Sequence, residues 1–274
     1  MSAMWNEQTL ELDGTALPVR VYRPETPARS TPLVMHLHGG AFVDGDLECG
    51  ELFCRLLTEA GAVVLSLDYP LAPEHRFPEA LNVSFAALAM LHKDRAQWGT
   101  RTSKIYLAGA EAGANIAAAM ALMARDQQYP PVAGQILCSP MLDPCLASKS
   151  IRAAEAGPVG CKWADGWHRY LGTADKAAHP YAAPLGSRRL GDLAPALVIT
   201  AQDDPMHDES MAYAARLAAC GVEVRTHVMA GPTEWPDAIE RPSNELPGWI
   251  AELGTLFQEF LAERSAPTLR TIRA

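Results

Sequence analysis

The sequence predicts an α/β fold with a mostly parallel central sheet and helices on both faces. Short apolar runs alternate with helix-length segments along most of the chain. Turn residues bound the runs, and the segments between them repeat apolar positions at helical spacing. At 274 residues the chain suits one large domain with a substantial core, and residues 1–274 are read as a single unit.

The elements follow in order. An antiparallel pair is expected at residues 8–12 and 17–22. Further strands are expected at 33–37, 63–67, 105–108, 134–138, 197–200 and 222–229, with helices at 50–60, 79–93, 113–125, 209–220 and 249–263. Two stretches interrupt the rhythm. Residues 143–193 are rich in Ala, Gly and small polar residues and carry Trp163, Trp167 and Tyr170 at a spacing that fits a cap helix. Residues 232–247, rich in proline and acid, suit a surface loop, and the tail from Arg264 onward is expected to be mobile.

Composition narrows the function. Apolar residues make up 49% and charged residues 20%, a globular balance. A net charge of -9, with no Lys/Arg cluster, argues against nucleic acid and anionic membranes as partners. No apolar run reaches the ~18 residues of a spanning helix, and the N-terminus has no basic stretch followed by an apolar one, so a cytoplasmic protein is expected. The six cysteines form no C-x-x-C pair and sit mostly among apolar residues. They are expected to be buried and reduced, with no metal role, and no cofactor is expected.

Five motifs bear on chemistry. The first is His38-Gly39-Gly40-Ala41-Phe42 after the 33–37 run, where two glycines let backbone N–H groups face a substrate oxygen. A plain strand-to-loop turn would look the same. The segment from Asp68 to Ala80, Asp-Tyr-Pro-Leu-Ala-Pro-Glu-His-Arg-Phe-Pro-Glu-Ala, sets an irregular loop before a helix. With it the chain resembles the hormone-sensitive-lipase-like branch of the α/β-hydrolase fold, bacterial carboxylesterases and acetyl-hydrolase relatives, over about residues 21–262. Within that segment Pro70 replaces the family's arginine.

The resemblance implies a nucleophile elbow next, G-D-S-A-G-G-N in the family and Gly109-Ala110-Glu111-Ala112-Gly113-Ala114-Asn115 here. The retained glycines imply that the sharp turn survives, with Glu111 at its exposed apex in the serine slot. Gln202-Asp203-Asp204-Pro205-Met206-His207-Asp208-Glu209 resembles the family's D-P-L-x-D-E and assigns Asp204 as the triad acid. Asp208 fits the helix N-cap better. Gly231-Pro232-Thr233-Glu234-Trp235 matches G-x-x-H-G-F and puts Glu234 in the histidine slot. The implied oxyanion donors are Gly39, Gly40 and Ala112.

A serine hydrolase needs an alcohol, a base, an acid that holds the base, and donors for the oxyanion. This sequence keeps the acid and the donors. Among other histidines, His36 lies within a strand, His38 belongs to the glycine loop and His227 lies opposite the aliphatic face of the last run. That leaves His207, beside the acid loop, as the substitute base.

The expected convergence of Glu111, Asp204 and Glu234 would keep a proton in the cluster and let the pair act as acid and base. Unpaired charges there would cost stability, so Glu111→Gln and Glu234→Gln are expected to hold or raise the melting temperature. A hard cation on these oxygens is a minor reading.

Three functions are weighed. A repurposed enzyme would use Glu111 and Glu234 on a small carbonyl or ester-like substrate. A ligand-binding pseudo-hydrolase is the second, since the resemblance extends to hormone receptors of the gibberellin type, in which the histidine is lost. A carboxylic ester hydrolase with an atypical site is the third. The front of the chain is shorter than in relatives, which would leave capping to 143–193. The last run is expected to be an edge strand and the seam of a homodimer, with Glu223 and Arg225 meeting their symmetry mates.

Overall fold

The computed structural model describes residues 5–12, 14–26, 31–155, 162–241 and 247–265. In chain order the strands are β1 (Trp5–Leu12), β2 (Thr15–Tyr22), β3 (Leu33–Leu37), β4 (Val63–Leu67), β5 (Ile105–Ala110), β6 (Gly134–Cys138), β7 (Ala196–Ala201) and β8 (Val224–Met229). The helices are α1 (Glu51–Glu59), α2 (Glu79–Lys93), α3 (Arg95–Trp98), α4 (Glu111–Gln127), α5 (Lys149–Glu155), α6 (Lys162–Leu171), α7 (His207–Ala219), α8 (Asp237–Glu240) and α9 (Ile250–Ser265). Each predicted strand and long helix is present, with ends shifted by a few residues.

The eight strands form one sheet in the order β1-β2-β4-β3-β5-β6-β7-β8. β1 and β2 pair antiparallel, as does β2 with β4, and every later pair is parallel. The central strands β3 to β7 are buried throughout. Their residues alternate between two cores, as a sheet covered on both faces requires. Leu33, Met35, Leu37, Leu65 and Leu107 join α2, α4 and α7 on one face. Val34, Val64, Tyr106 and Ile136 join α1 and α9 on the other.

The crossover from β5 into α4 sets the position of the site. α4 is Ala-rich and buried through most of its length, because only small side chains let its first turns press against the sheet. A Cβ on Gly113 would lie 2.0 Å from the carbonyl oxygen of Leu37, and one on Gly109 would lie 2.6 Å from the Gly113 carbonyl carbon. Both glycines are therefore contact requirements of the elbow. Asn115 ties α4 to the following loops, its Nδ2 donating to the carbonyls of Met141 at 2.8 Å and Ala182 at 3.0 Å.

Two expectations change. Residues 232–241 are not a surface loop: Trp235 and Ile239 are buried in the second core, and Trp235 meets Trp249 edge-on at 5.2 Å. The apolar pair outweighs the neighbouring prolines and acids in deciding where this segment lies. β8 is a sheet edge as expected, but Arg225 pairs with Glu259 and Glu263 of α9, and His227 lies 2.7 Å from Glu252. Arg225 thus has two acid partners within its own chain. Cys49, Cys54 and Cys138 are buried, whereas Cys145 and Cys220 are exposed. Cys161, and the tail beyond residue 265, lie outside the described residues. Among the described residues no helix is long and apolar enough to cross a membrane.

Gly113→Ala is expected to cost about 3 kcal/mol or more, because its methyl group would strike backbone atoms that cannot yield locally. Urea denaturation measures it, and an unchanged midpoint would contradict the packing described.

Candidate functional site

Strand register assembles the site at the C-terminal ends of the parallel strands, where open α/β sheets hold ligands. Leu37 pairs with Gly109 across β3 and β5, and Ala110 pairs with Cys138 across β5 and β6. The glycine loop after β3, the elbow after β5 and Ser139 after β6 are thereby brought side by side. Glu111 sits at the elbow with φ 49°. A left-handed backbone on a non-glycine residue costs on the order of 1–3 kcal/mol and marks a position held by its surroundings.

The Glu111 side chain turns into the glycine loop. Its Oε2 accepts the N–H of Gly40 at 2.6 Å and of Ala41 at 2.9 Å, and its Oε1 accepts the indole N–H of Trp163. Glu111 is 2% exposed. A carboxylate oxygen thus occupies the place where two preorganised backbone donors would hold an oxyanion. Of the donors expected from sequence, Gly40 takes part, while Gly39 and Ala112 do not bond this carboxylate. Ala41 and Trp163 do, and neither was foreseen in that role.

The loop geometry is maintained by His38 and Tyr69. His38 Nδ1 lies 2.7 Å from the Gly39 carbonyl, and its ring stacks on Tyr69 at 4.3 Å. The Tyr69 hydroxyl donates to the His38 carbonyl at 2.8 Å. Burial lowers the pKa of His38 to about 4, so the ring is neutral and Nδ1 donates to the carbonyl. From above, α6 seats on the loop at Gly166, where a Cβ would lie 2.3 Å from the Ala41 oxygen. Tyr170 stacks on Phe42 at 3.9 Å. The aromatic triplet read from sequence lies on this helix, with Trp163, Trp167 and Tyr170 all buried.

The other two carboxylates expected at the site have surroundings of their own. Asp204 is 1% exposed; its Oδ2 accepts the hydroxyls of Ser139 and Thr200, both at 2.5 Å, and its Oδ1 accepts the Met206 N–H at 2.8 Å. Burial raises its pKa, against the pull of these three donors and of His207. Glu234 has φ 58°. It is exposed, and its side chain makes no hydrogen bond or ion pair among the described residues. Among the described residues no hydrogen bond links these three side chains: Glu111 is held by N–H donors and Asp204 by hydroxyls and the Met206 N–H. Among the described residues no three His, Cys, Asp or Glu side chains are grouped as metal ligands. His207 directs Nδ1 at the Ala201 carbonyl, 3.0 Å away.

The carboxyl group that does stand beside Glu111 is Glu240, at the end of α8. A Cβ on Gly39 would lie 2.9 Å from Glu240 Oε1 and 3.1 Å from Glu111 Oε2, so both groups face the same point. Glu240 is 7% exposed, and neither of its oxygens has a hydrogen-bond partner of ordinary geometry, although the Gly39 N–H faces the carboxyl closely enough to favour its ionised form. Burial pushes its pKa up to about 8, helped by Glu111 and Asp237 and opposed by the Gly39 N–H and Arg241. A cavity of about 460 Å³ opens onto Gly39, Gly40, Glu111 and Glu240. Nothing in the order Pro236-Asp237-Ala238-Ile239-Glu240 distinguishes Glu240 from a solvated acid, which is why sequence reasoning passed over it.

A second buried acid, Glu209, has a structural role. Its Oε2 accepts the N–H groups of Leu142 and Asp143, both at 2.8 Å, and so fixes the loop after β6. Burial raises its pKa to about 8 against those two donors.

The fold and the elbow define an α/β-hydrolase scaffold, and comparison with known proteins agrees. The model of the alpha/beta hydrolase fold matches residues 34–233. Esterase LipI of Mycobacterium tuberculosis is 37% identical over 227 residues, covering 80% of this chain and 71% of the relative. An arylesterase of Saccharolobus solfataricus is 34% identical over 220 residues, covering 79% and 71%. The thermophilic carboxylesterase EstE1, cloned from a metagenomic library, superimposes with a TM-score of 0.86 at 28% identity, covering 97% of this chain and 90% of that one. The chain belongs to the α/β-hydrolase fold family, in its hormone-sensitive-lipase-like branch.

Because Glu111 is fully partnered, the expected gain from neutralising it reverses. Glu111→Ala would leave two backbone N–H groups and an indole N–H without acceptors and should cost about 2 kcal/mol. Glu234→Gln, at an exposed side chain, should stay within about 0.5 kcal/mol. Equal effects for the two in urea denaturation would contradict this geometry.

Stability should also fall as pH rises from about 6.5 to 8.5. Glu209 and Glu240 keep their protons to about pH 8 when folded but lose them near 4.5 when unfolded. The unfolded chain therefore binds fewer protons through that window, and base favours it. The buried His36 and His38, with pKa values lowered to about 3 and 4, act in the opposite sense only below about 6.5. Glu240→Gln should flatten the decline measured by urea denaturation across this range, and an undiminished slope would exclude Glu240 as a source.

Proposed function

We propose that this chain binds a small molecule in the cavity beside Glu111 and does not cleave esters by the serine route of its relatives. One observation carries the reading: the Glu111 carboxylate rests on the Gly40 and Ala41 N–H groups. A substrate carbonyl could reach those donors only by displacing an anion held by three N–H hydrogen bonds, and no alcohol stands at the elbow to attack it. Glu234 cannot act as a base for position 111 from its exposed setting without moving. The cavity volume of about 460 Å³ lies within the range of small-molecule sites, roughly 300–1,000 Å³.

A second reading, acid–base catalysis on a small carbonyl compound, draws on the Glu111–Glu240 juxtaposition. Two carboxyl groups facing one point, one of them protonated near neutrality, are the parts such chemistry needs. In this version Glu240 replaces Glu234 as the partner of Glu111.

The test is direct. Wild-type protein should neither hydrolyse p-nitrophenyl acetate nor take a fluorophosphonate label, and Glu111→Gln should change neither result. Stoichiometric labelling at any serine, or turnover abolished by Glu111→Gln, would overturn the proposal in favour of an esterase with an atypical site.

A further inference from the structure

We propose that the cavity beside Gly39 takes a small organic cation bearing N–H donors, an ammonium, amidinium or guanidinium group, seated on the carboxyl group of Glu240. The inference rests on the ligand-binding reading above and names the chemistry of the ligand.

Glu240 is the feature that demands an explanation. Both of its oxygens are buried and hold no hydrogen bond of ordinary geometry, with only the Gly39 N–H facing the carboxyl, which is costly relative to a fully satisfied group. The protein holds cations nearby yet aims none of them at it. Arg241, the next residue, directs Nε at the Cys49 sulfur, 3.3 Å away, and has Asp44 at 4.0 Å. Lys162 pairs with Asp237. The remaining groups around Glu240 serve it poorly. The Gly39 N–H faces the carboxyl without making a bond of ordinary geometry, and Glu111 and Tyr69 are engaged with the glycine loop. His36 turns Nδ1 to Ser66 at 2.9 Å, and its Nε2, near Glu240 Oε2 across Gly50, makes no hydrogen bond. The buried thiols of Cys54 and Cys138, kept protonated by burial, are weak donors. An N–H donor from outside the chain would satisfy both oxygens.

The surrounding charge favours a cation. Asp44, Glu111, Asp165, Asp237 and Glu240 line the cavity against Lys162 and Arg241, so the field inside attracts positive ligands and repels carboxylates. Ala41 and Val43 supply apolar wall for the body of such a molecule. An amidinium is a sharp probe, since its two parallel N–H groups match the two oxygens of a carboxylate. Seating a cation favours the ionised carboxylate, so binding should release a proton and tighten as pH rises toward and past 8.

Isothermal titration calorimetry of the full chain with benzamidinium and with benzamide, its neutral isostere, tests this. Benzamidinium should bind saturably, at least tenfold tighter than benzamide, and several-fold tighter at pH 8.5 than at pH 6.5. Glu240→Gln should weaken it at least tenfold and remove the pH dependence. Glu11→Gln, an exposed acid on β1, should leave affinity unchanged and so controls for net charge. Absence of saturable binding, equal affinity for benzamide, or wild-type affinity in Glu240→Gln would each overturn the proposal. Should Glu240→Gln fail to fold, the comparison of the two probes and the pH dependence of the wild type still decide. Ester turnover by the wild type would sink the ligand-binding reading itself. Absence of both turnover and benzamidinium binding would remove only the cation.

Discussion

The hydrogen bonds from Gly40 and Ala41 to the Glu111 carboxylate join three parts of the chain that sequence keeps far apart. The loop after β3 supplies the donors, the elbow between β5 and α4 supplies the acceptor, and α6 closes over both through the Trp163 indole. The arrangement depends on register: because Leu37 lies beside Gly109, the glycine loop and the elbow leave the sheet at the same level. It depends equally on two missing side chains, since Gly109 and Gly113 let α4 approach the ends of β5 and β3 at backbone distance. Neighbouring features follow from this contact. A left-handed residue at position 111 is tolerated because its side chain is held at three points.

Electrostatics then divides the buried acids into two kinds. Asp204, Glu209 and Glu111 each accept hydrogen bonds from fixed donors, and each stabilises a turn or loop by doing so. Glu240, also buried, has only the Gly39 N–H facing it and no hydrogen bond of ordinary geometry, and its proton substitutes for the missing donors near neutral pH. A carboxyl group that stays neutral by desolvation alone can be converted by whatever supplies a positive charge. That asymmetry, more than the number of acids around the cavity, separates a ligand-facing group from structural ones.

Most of the scaffold was legible in the sequence. The strands of a two-face-covered sheet show as apolar runs, the elbow shows as glycines at a fixed spacing, and Glu111 stands out because those glycines define its position. Other parts of the site were not. Asp204 was found by its motif, but its hydroxyl partners Ser139 and Thr200 are far off in sequence and unremarked by any local pattern. Glu234 was placed by alignment of a short motif, which cannot tell a side chain that enters a site from one that faces solvent. Glu240 was hidden because the packing of Trp235 and Ile239 that buries it depends on α1 and Trp249, partners from other stretches of chain. Donors such as Ala41 are backbone groups and leave no trace in residue identity.

The same fold hosts ester cleavage in its relatives, and the difference here lies in what the donors of the glycine loop are given to bind. In an oxyanion hole they gain most of their interaction only as negative charge develops, so they favour a transition state. Occupied by the Glu111 carboxyl group, they are already satisfied in the resting protein and, on the proposed reading, contribute to stability instead of rate. Glutamate is long enough to bring its charge back from the elbow to those donors, which an aspartate at the same apex would have one methylene fewer to reach. On the proposed reading, glutamate at this position turns a site built to stabilise a passing anion into one that carries its own. A ligand entering beside it meets a negative wall where a serine hydrolase offers an electrophilic one.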